Sequence, residues 1–114
     1  MWTIIDSEEV PFTAYPKGNA SIKRIVEQKT VGSKRFTGFG ILEIPPKGGI
    51  FPPHTHPDRE EVYYVMSGSG TILVGDKEFP AKPGLTLYVS GEDPHGLRND
   101  GDEPFIVLFV HVQV

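Results

Sequence analysis

The sequence predicts an all-β fold, a sandwich or barrel built from short strands. Thirteen glycines and eleven prolines divide the 114 residues into short segments. Between these breaks the apolar residues fall in short alternating runs, which is typical of strands that bury one face. A chain of this length buries enough surface to fold without disulfides, so we expect one domain over residues 1–114.

The alternating runs and the turn residues between them predict nine strands. In chain order these are residues 2–5, 22–27, 38–44, 51–56, 61–66, 71–74, 85–89, 95–99 and 105–112. Gly75-Asp76 predicts a hairpin turn after the sixth strand. Helical spacing after a potential cap at Ser21 leaves a short helix over residues 21–29 as the alternative to the second strand.

The last predicted strand, residues 105–112, is apolar on both faces. Phe105 and Phe109 lie on one face, and Ile106 and Val110 lie on the other. A strand that is apolar on both sides is normally buried on both sides. We therefore expect either a homodimer that covers the outer face or a jelly roll that covers its own sheet.

Charge and composition argue against several classes of partner. The net charge is −4, and the basic residues are scattered except for Lys23-Arg24 and Lys34-Arg35. Nucleic-acid binding needs a basic face, so we expect no nucleic-acid partner. There is no long apolar stretch and no basic segment before an apolar run, so we expect neither a membrane span nor a signal peptide. The absence of cysteine excludes a thiolate metal site and fits a cytoplasmic location.

Candidate metal ligands lie in the stretch GGIFPPHTHPDREEVYYVMSG. Side chains alternate between the faces of a strand, so His54 and His56 project to one side, about 6.6 Å apart at their backbones. A following strand that starts at Glu61 and pairs antiparallel with the first would bring a carboxylate to the level of the two imidazoles. Glu60 is the alternative, because the apolar pattern does not show which face of that strand points inward.

A fourth candidate ligand is His95, in the turn-rich segment GEDPHGLRN. Three histidines and a carboxylate leave one or two coordination positions open, as in a catalytic site. Imidazole and carboxylate suit Mn, Fe, Ni or Zn better than Ca or Mg. The sequence therefore predicts one divalent transition-metal ion. The alternative is a surface loop rich in proline and histidine that binds no metal.

These residues resemble the two sequence motifs of cupins. The first motif, G-x5-H-x-H-x3,4-E-x6-G, is matched by Gly48, His54, His56, Glu61 and Gly68 with every spacing kept. The four-residue gap before the glutamate selects the second of the two adjacent glutamates as the ligand.

The second motif, G-x5-P-x-G-x2-H-x3-N, is matched with two departures. Gly84, His95 and Asn99 stand in register, but Ser90 replaces the usual proline and Glu92 replaces the usual glycine. These departures keep the histidine ligand and change the loop in front of it.

The resemblance covers about residues 38–112 and implies a small single-domain cupin. It implies a double-stranded β-helix, or jelly-roll barrel, with one metal ion bound by His54, His56, Glu61 and His95. Cupins include dioxygenases, decarboxylases, lyases, isomerases and proteins without catalytic activity. The resemblance therefore implies a fold and a metal site but no particular reaction.

We expect a metal-dependent enzyme acting on a small oxygen-bearing molecule, such as an organic acid, a sugar derivative or a substrate of dioxygen. The alternative is a non-catalytic binding module whose metal is structural or anchors a ligand. A lyase or isomerase needs an acid or base beyond the ligands, and Tyr63, Glu60 and His111 are the candidates. Arg59 is a candidate for binding a substrate carboxylate. Each of these four residues could instead be an ordinary core or solvated side chain.

Overall fold

The computed structural model describes residues 1–114, which form two antiparallel β-sheets packed face to face. The strands are β1 (Thr13–Ala14), β2 (Ser21–Glu27), β3 (Phe36–Ile44), β4 (Gly49–His54), β5 (Arg59–Ser67), β6 (Gly70–Val74), β7 (Lys77–Ala81), β8 (Thr86–Ser90), β9 (His95–Asn99) and β10 (Phe105–Gln113). A 3-10 turn at Ser7–Glu9 and a one-turn helix, α1 (Gln28–Val31), are the only helical segments.

The two sheets are formed by a chain that crosses between them repeatedly. Six strands follow the order β1-β2-β3-β10-β5-β8, and four follow the order β4-β9-β6-β7. The successive strands β3, β4, β5 and β6 therefore alternate between the sheets, as do β8, β9 and β10. This winding is the double-stranded β-helix, so the expected all-β jelly-roll fold is confirmed.

The core lies between the two sheets. Period-two alternation places every second side chain of β3, β5 and β10 on the inner face, where those side chains are buried. The largest fully buried apolar side chains are Tyr63, Phe105, Leu42, Ile44, Ile72 and Leu97. Burial of each aliphatic or phenylalanine side chain of this kind contributes about 1.5–3 kcal/mol.

The strand predicted at residues 2–5 is not formed. Trp2 is 81% exposed and Ile4 is 86% exposed, and no strand edge pairs with this segment. Apolar alternation alone does not make a strand, because the backbone groups of an isolated extended segment gain no ladder of hydrogen bonds. The prediction of a strand here was wrong.

Two strands, β1 and β7, were not predicted. The sequence of β7, KEFPA, is polar, contains Pro80 and is exposed at four of its five positions. It is an edge strand that pairs with β6 alone, and proline is tolerated at a sheet edge. The predicted Gly75-Asp76 hairpin joins these two strands. Over residues 21–29 both alternatives are partly realised, because β2 ends at Glu27 and α1 follows.

The expected pairing between the first two motif strands was also wrong. The strand that ends at His54, β4, pairs with β9 in the smaller sheet. The strand that carries Glu61, β5, pairs with β10 and β8 in the larger sheet. The connection between β4 and β5 crosses from one sheet to the other, so the candidate ligands His54 and Glu61 face each other across the sandwich. No helix in this structure has the length and apolar character needed to cross a membrane.

Candidate metal centre

The four predicted ligands lie together between the two sheets. One potential ligand atom from each of His54, His56, Glu61 and His95 lies within 4.8 Å of every other. Oε1 of Glu61 is 3.0 Å from Nε2 of His56 and 2.8 Å from Nε2 of His95. His95 has no exposed surface and Glu61 is 5% exposed. This cluster could hold one metal ion.

Backbone contacts fix the neutral tautomers of His54 and His95 in the form that a metal requires. Nδ1 of His54 lies 2.9 Å from the carbonyl oxygen of Pro52, and Nδ1 of His95 lies 2.8 Å from that of Asp93. Because a carbonyl only accepts, each Nδ1 donates its hydrogen and leaves the Nε2 lone pair free. Nε2 of His95 also lies 3.1 Å from Nε2 of His56. The Nε2 lone pairs of His54 and His95 therefore lie close to the buried carboxylate of Glu61, an arrangement that suits a bound cation.

Each ligand is positioned by a different part of the fold. His54 ends β4 and His95 begins β9, and these two residues are register partners across the smaller sheet. Glu61 is the third residue of β5 in the larger sheet. His56 belongs to the loop between the sheets, where its amide donates to the carbonyl of Gly91 at 2.8 Å. The site therefore depends on the packing of both sheets.

The ligands have shifted pKa values for different reasons. Burial disfavours the charged form of Glu61, but the ring nitrogens of His56 and His95, which donate to the carboxylate when these imidazoles are protonated, outweigh it and lower the pKa of the carboxyl to about 2. The hydrogen bond to Glu61 raises the pKa of His56. Burial lowers the pKa of His54. At neutral pH the cluster therefore offers a carboxylate, and a proton on His56 competes with a metal ion.

A cavity of about 260 Å³ opens beside the cluster. His54, His56 and Glu61 line it, whereas His95 lies behind them. Its walls also carry Tyr15, Phe51 and Phe109 as aromatic surface and Arg24, Arg59, Glu27 and His111 as polar groups. This volume is at the small end of ordinary ligand pockets, which favours a small ligand.

Comparison with protein families agrees with the fold and the ligand spacing. The family model described as "Cupin domain" matches residues 40–111, more than half of the chain. The chain belongs to the cupin family. The expectation that rested on the two sequence motifs is thereby confirmed.

Relatives of this cupin share only part of their length with it. An uncharacterized protein of Methanocaldococcus jannaschii is 34% identical over 65 residues, 57% of this chain and 52% of that protein. A glucose-6-phosphate isomerase of Thermococcus onnurineus is 38% identical over 63 residues, 51% of this chain and 33% of the isomerase. The chain thus spans about half and one third of the lengths of these two relatives.

A solved structure shows the same fold over the whole chain. The crystal structure of a predicted oxalate decarboxylase from Thermotoga maritima superposes with a TM-score of 0.86, covering 98% of this chain and 100% of the other. The two sequences are 21% identical, so the likeness concerns the fold alone.

In this cupin the loop before His95 contacts the segment that carries His56, despite the two departures from the second motif. Ser90 ends β8 as the register partner of Glu60. The amide of Gly91 donates to the carbonyl of Arg59 at 2.7 Å, and its carbonyl accepts from the amide of His56. A β-carbon on Gly91 would overlap the carbonyl oxygen of His56. A glycine one residue before the usual position thus permits the close approach that places His56.

We expect Gly91→Ala to displace His56 and to weaken metal binding at least about tenfold, as loss of an orienting contact does at other metal sites. Titration of the metal-free protein with zinc measures the effect. Gly101→Ala is a matched control, because a β-carbon there would meet no atom closer than 3.4 Å. Equal zinc affinity in the two variants would contradict the positioning role of Gly91.

The four candidates for chemistry beyond the metal lie in different environments. Arg59 and His111 line the cavity. Tyr63 does not line it, because its side chain is fully buried in the core, where burial raises the pKa of the phenol well above its ordinary value. Glu60 points away from the cavity and accepts a hydrogen bond from Tyr88 at 2.6 Å. The structure therefore offers no contact between a ligand in the cavity and either Tyr63 or Glu60.

Sequence reasoning missed four polar residues of the cavity wall. Tyr15, Arg24 and Glu27 come from the amino-terminal part of the chain, before the region that resembles the family motifs. Thr37 lies at the start of β3, where its hydroxyl contacts His111. No local sequence signal distinguishes these residues, because their role depends on packing against strands far away in the sequence.

Proposed function

We propose that this cupin is a metal-dependent enzyme that binds a small oxygen-bearing molecule in the cavity beside the metal cluster. The observation that carries the proposal is the asymmetry of the cluster. His95 closes it on the buried side, and His54, His56 and Glu61 border a cavity that a small molecule can enter. A bound Mn, Fe, Ni or Zn ion would act as a Lewis acid on a carbonyl or carboxylate of the substrate.

Two arginines support an anionic substrate. Nε of Arg59 is inaccessible to solvent and has no hydrogen-bond partner, and its nearest carboxylate, on Asp58, is 3.9 Å away. Arg24 makes one long hydrogen bond, 3.4 Å from its Nη1 to Thr13 Oγ1. Guanidinium groups bind carboxylates and phosphates through paired hydrogen bonds. The names of two similar proteins, a glucose-6-phosphate isomerase and a predicted oxalate decarboxylase, also concern small anions.

Groups suited to proton transfer support catalysis rather than binding alone. Tyr15, Glu27 and His111 line the cavity and are not part of the metal cluster. Burial lowers the pKa of His111, so its imidazole is neutral at pH 7 and can accept a proton. A decarboxylase, lyase or isomerase needs such a group. Tight binding of a ligand without turnover would instead favour the non-catalytic binding module.

The proposal predicts that anions bind far better than neutral molecules of similar size. We expect zinc-loaded protein to bind glucose 6-phosphate or oxalate at least tenfold more tightly than glucose, as measured by calorimetry, with turnover followed by NMR of the mixtures. Arg59→Gln should weaken anion binding about 10- to 100-fold, the usual range for hydrogen bonds to a charged group.

Arg98→Gln is the matched control for this experiment. Arg98 pairs with Glu78 and Asp100, both at 2.7 Å, and does not line the cavity. Its loss should leave anion affinity unchanged. Glucose bound as tightly as the anions, or equal effects of the two arginine variants, would argue against an anionic substrate.

We propose, in addition, that this cupin forms a homodimer through the outer face of the six-stranded sheet. Tyr64 and Met66 are each 45% exposed on this face, and Tyr88 is 61% exposed. Tyr64 is the register partner of Leu108, and Tyr88 is that of Val62. These residues form an apolar patch on strands whose alternate residues fill the core, as in surfaces that associate with a partner.

We expect light scattering to give the mass of two chains for the wild type and of one chain for Tyr64→Lys with Tyr88→Lys. Lysines on this patch would have to be buried without partners in a dimer. Phe79→Lys is the control, since Phe79 is 46% exposed on the edge strand of the other sheet. A monomeric wild type, or a dimer that tolerates both lysines, would count against this interface.

A further inference from the structure

His111 is held at the cavity wall by contacts with three neighbouring residues. Its ring stacks on Phe109 with centroids 5.6 Å apart and an angle of 19° between the planes. The ring also lies against Gly38, where a β-carbon would come within 2.5 Å of Cε1 and 2.7 Å of Nε2. Its Nδ1 is hydrogen-bonded to the hydroxyl of Thr37. The ring is therefore restrained in both position and rotation.

The contacts of Thr37 determine the tautomer of His111. Oγ1 of Thr37 donates to the carbonyl oxygen of His111 at 2.9 Å and also contacts Nδ1 of the same residue. A hydroxyl has one hydrogen to donate, and a carbonyl only accepts. Both contacts are hydrogen bonds only if Nδ1 carries the hydrogen and donates it to Oγ1. The neutral ring then presents Nε2 as an acceptor, and Nε2 makes no hydrogen bond within the chain.

A β-bulge brings Thr37 into this position. Between β3 and β10 the register pairs His111 with Gly38 and Val112 with Phe36, so Thr37 is the extra residue. A bulge turns the side chain of the inserted residue out of the regular alternation. The hydroxyl of Thr37 thereby points to a residue 74 positions later in the chain. Bulges of this kind often lie next to active sites.

We propose that the ligand of this cupin is a hydroxylated organic anion whose O–H group donates a hydrogen bond to Nε2 of His111. This inference rests on the proposed function and narrows its substrate class. Oxalate at neutral pH has only acceptor oxygens and would face the lone pair of Nε2 unfavourably. A hydroxy acid or a sugar phosphate offers both the negative charge for the two arginines and the hydroxyl for His111. Thr37 acts as a positioning residue through His111.

The tautomer is tested first, on metal-free protein labelled with ¹⁵N-histidine. Two-bond ¹H–¹⁵N spectra distinguish a hydrogen on Nδ1 from one on Nε2, and His111→Phe identifies the signals of His111. We expect the Nδ1–H form in the wild type and in Thr37→Ser, and a mixture of tautomers in Thr37→Val. The Nε2–H form in the wild type, or an unchanged tautomer in Thr37→Val, would overturn the inference. This test is independent of metal binding.

Ligand preference is tested by calorimetry on zinc-loaded protein with glycolate and methoxyacetate, two carboxylates that differ in the O–H group, and with glucose 6-phosphate. We expect glycolate to bind about tenfold more tightly than methoxyacetate, the usual effect of one hydrogen bond. His111→Phe and Thr37→Val should abolish most of this preference at unchanged zinc content, and Thr37→Ser should restore it.

Glucose 6-phosphate distinguishes the two sources of negative charge. If the natural ligand is a phosphate, the affinity for glucose 6-phosphate should fall about tenfold in His111→Phe and in Thr37→Val. This result is expected whether or not glycolate binds. Binding of neither hydroxylated anion, or binding that does not depend on His111, would overturn the substrate class while the metal site stands. If the protein does not bind zinc at all, the proposed function itself is contradicted. The ¹H–¹⁵N spectra of the metal-free protein would still show the tautomer of His111 in that case.

Discussion

Replacing His54 and His56 together by alanine should remove the metal ion from this cupin. These residues supply two of the four potential ligand atoms that converge within 4.8 Å. Glu61 and His95 would remain as two ligands, too few for a stable transition-metal site, and the loss should exceed the 10- to 100-fold that follows removal of an orienting contact. Elemental analysis of protein purified without added metal should show one ion per wild-type chain and none in the double variant.

His111→Phe is the matched control for metal content. The chain has four histidines, and His111 is the one outside the cluster. Its replacement should leave the metal content unchanged. Wild-type protein without metal that also fails to take up zinc, manganese, iron or nickel on addition would contradict the assignment of the site.

Added metal should stabilise the wild-type protein but not the His54→Ala, His56→Ala double variant, and metal affinity should depend on pH. Metal at a hundredfold excess over its dissociation constant should stabilise the wild type by about 2.7 kcal/mol and should not stabilise the double variant. Histidine ligands must be neutral, so metal affinity should fall as the pH drops towards and below about 6.5. The fall should begin above the ordinary histidine value, because the hydrogen bond to Glu61 raises the pKa of His56. Equal affinity at pH 5 and pH 7.5 would be evidence against histidine ligation.

Asn99→Ala should destabilise the fold by about 3 kcal/mol, because three hydrogen bonds are lost. Asn99 is fully buried, and its Nδ2 donates to the carbonyl oxygens of Ile44 at 3.0 Å and Glu103 at 2.8 Å. Its Oδ1 accepts from the amide of Gly101 at 3.0 Å. Alanine removes all three hydrogen bonds, each worth about 1 kcal/mol. For a domain of this size the melting temperature should fall by about 10 °C or more.

Asn19→Ala is the matched control for this prediction. Asn19 is exposed, and its Oδ1 accepts one hydrogen bond, from the amide of Ile50 at 2.7 Å. Its loss should cost about 1 kcal/mol or less. Denaturant unfolding of both variants, without metal, measures the difference. If Asn99→Ala were no more destabilising than Asn19→Ala, water would have to replace the three lost bonds.

The four candidate ligands lie together as expected, although the strand pairing that was expected to bring them together does not occur. The spacing of His54, His56, Glu61 and His95 predicted the cluster that the structure contains. The expected reason was antiparallel pairing between neighbouring strands, and that pairing does not occur. The strands of His54 and Glu61 belong to different sheets and meet across the core. Spacing identified the potential ligands through the family motif, whereas pairing partners depend on which strand edges meet in the folded chain.

The sequence by itself determined the fold class, most of the strands and the four potential ligands. These follow from local chemistry: alternation of apolar residues, turn residues at strand ends, and imidazole and carboxylate groups at fixed spacing. The tertiary structure alone decided which polar groups share the cavity with the cluster. Arg24 comes from β2, and Thr37 reaches His111 through a bulge between strands 74 residues apart. A register shift of one residue between distant strands leaves no local pattern, because it is set by the packing of the two sheets.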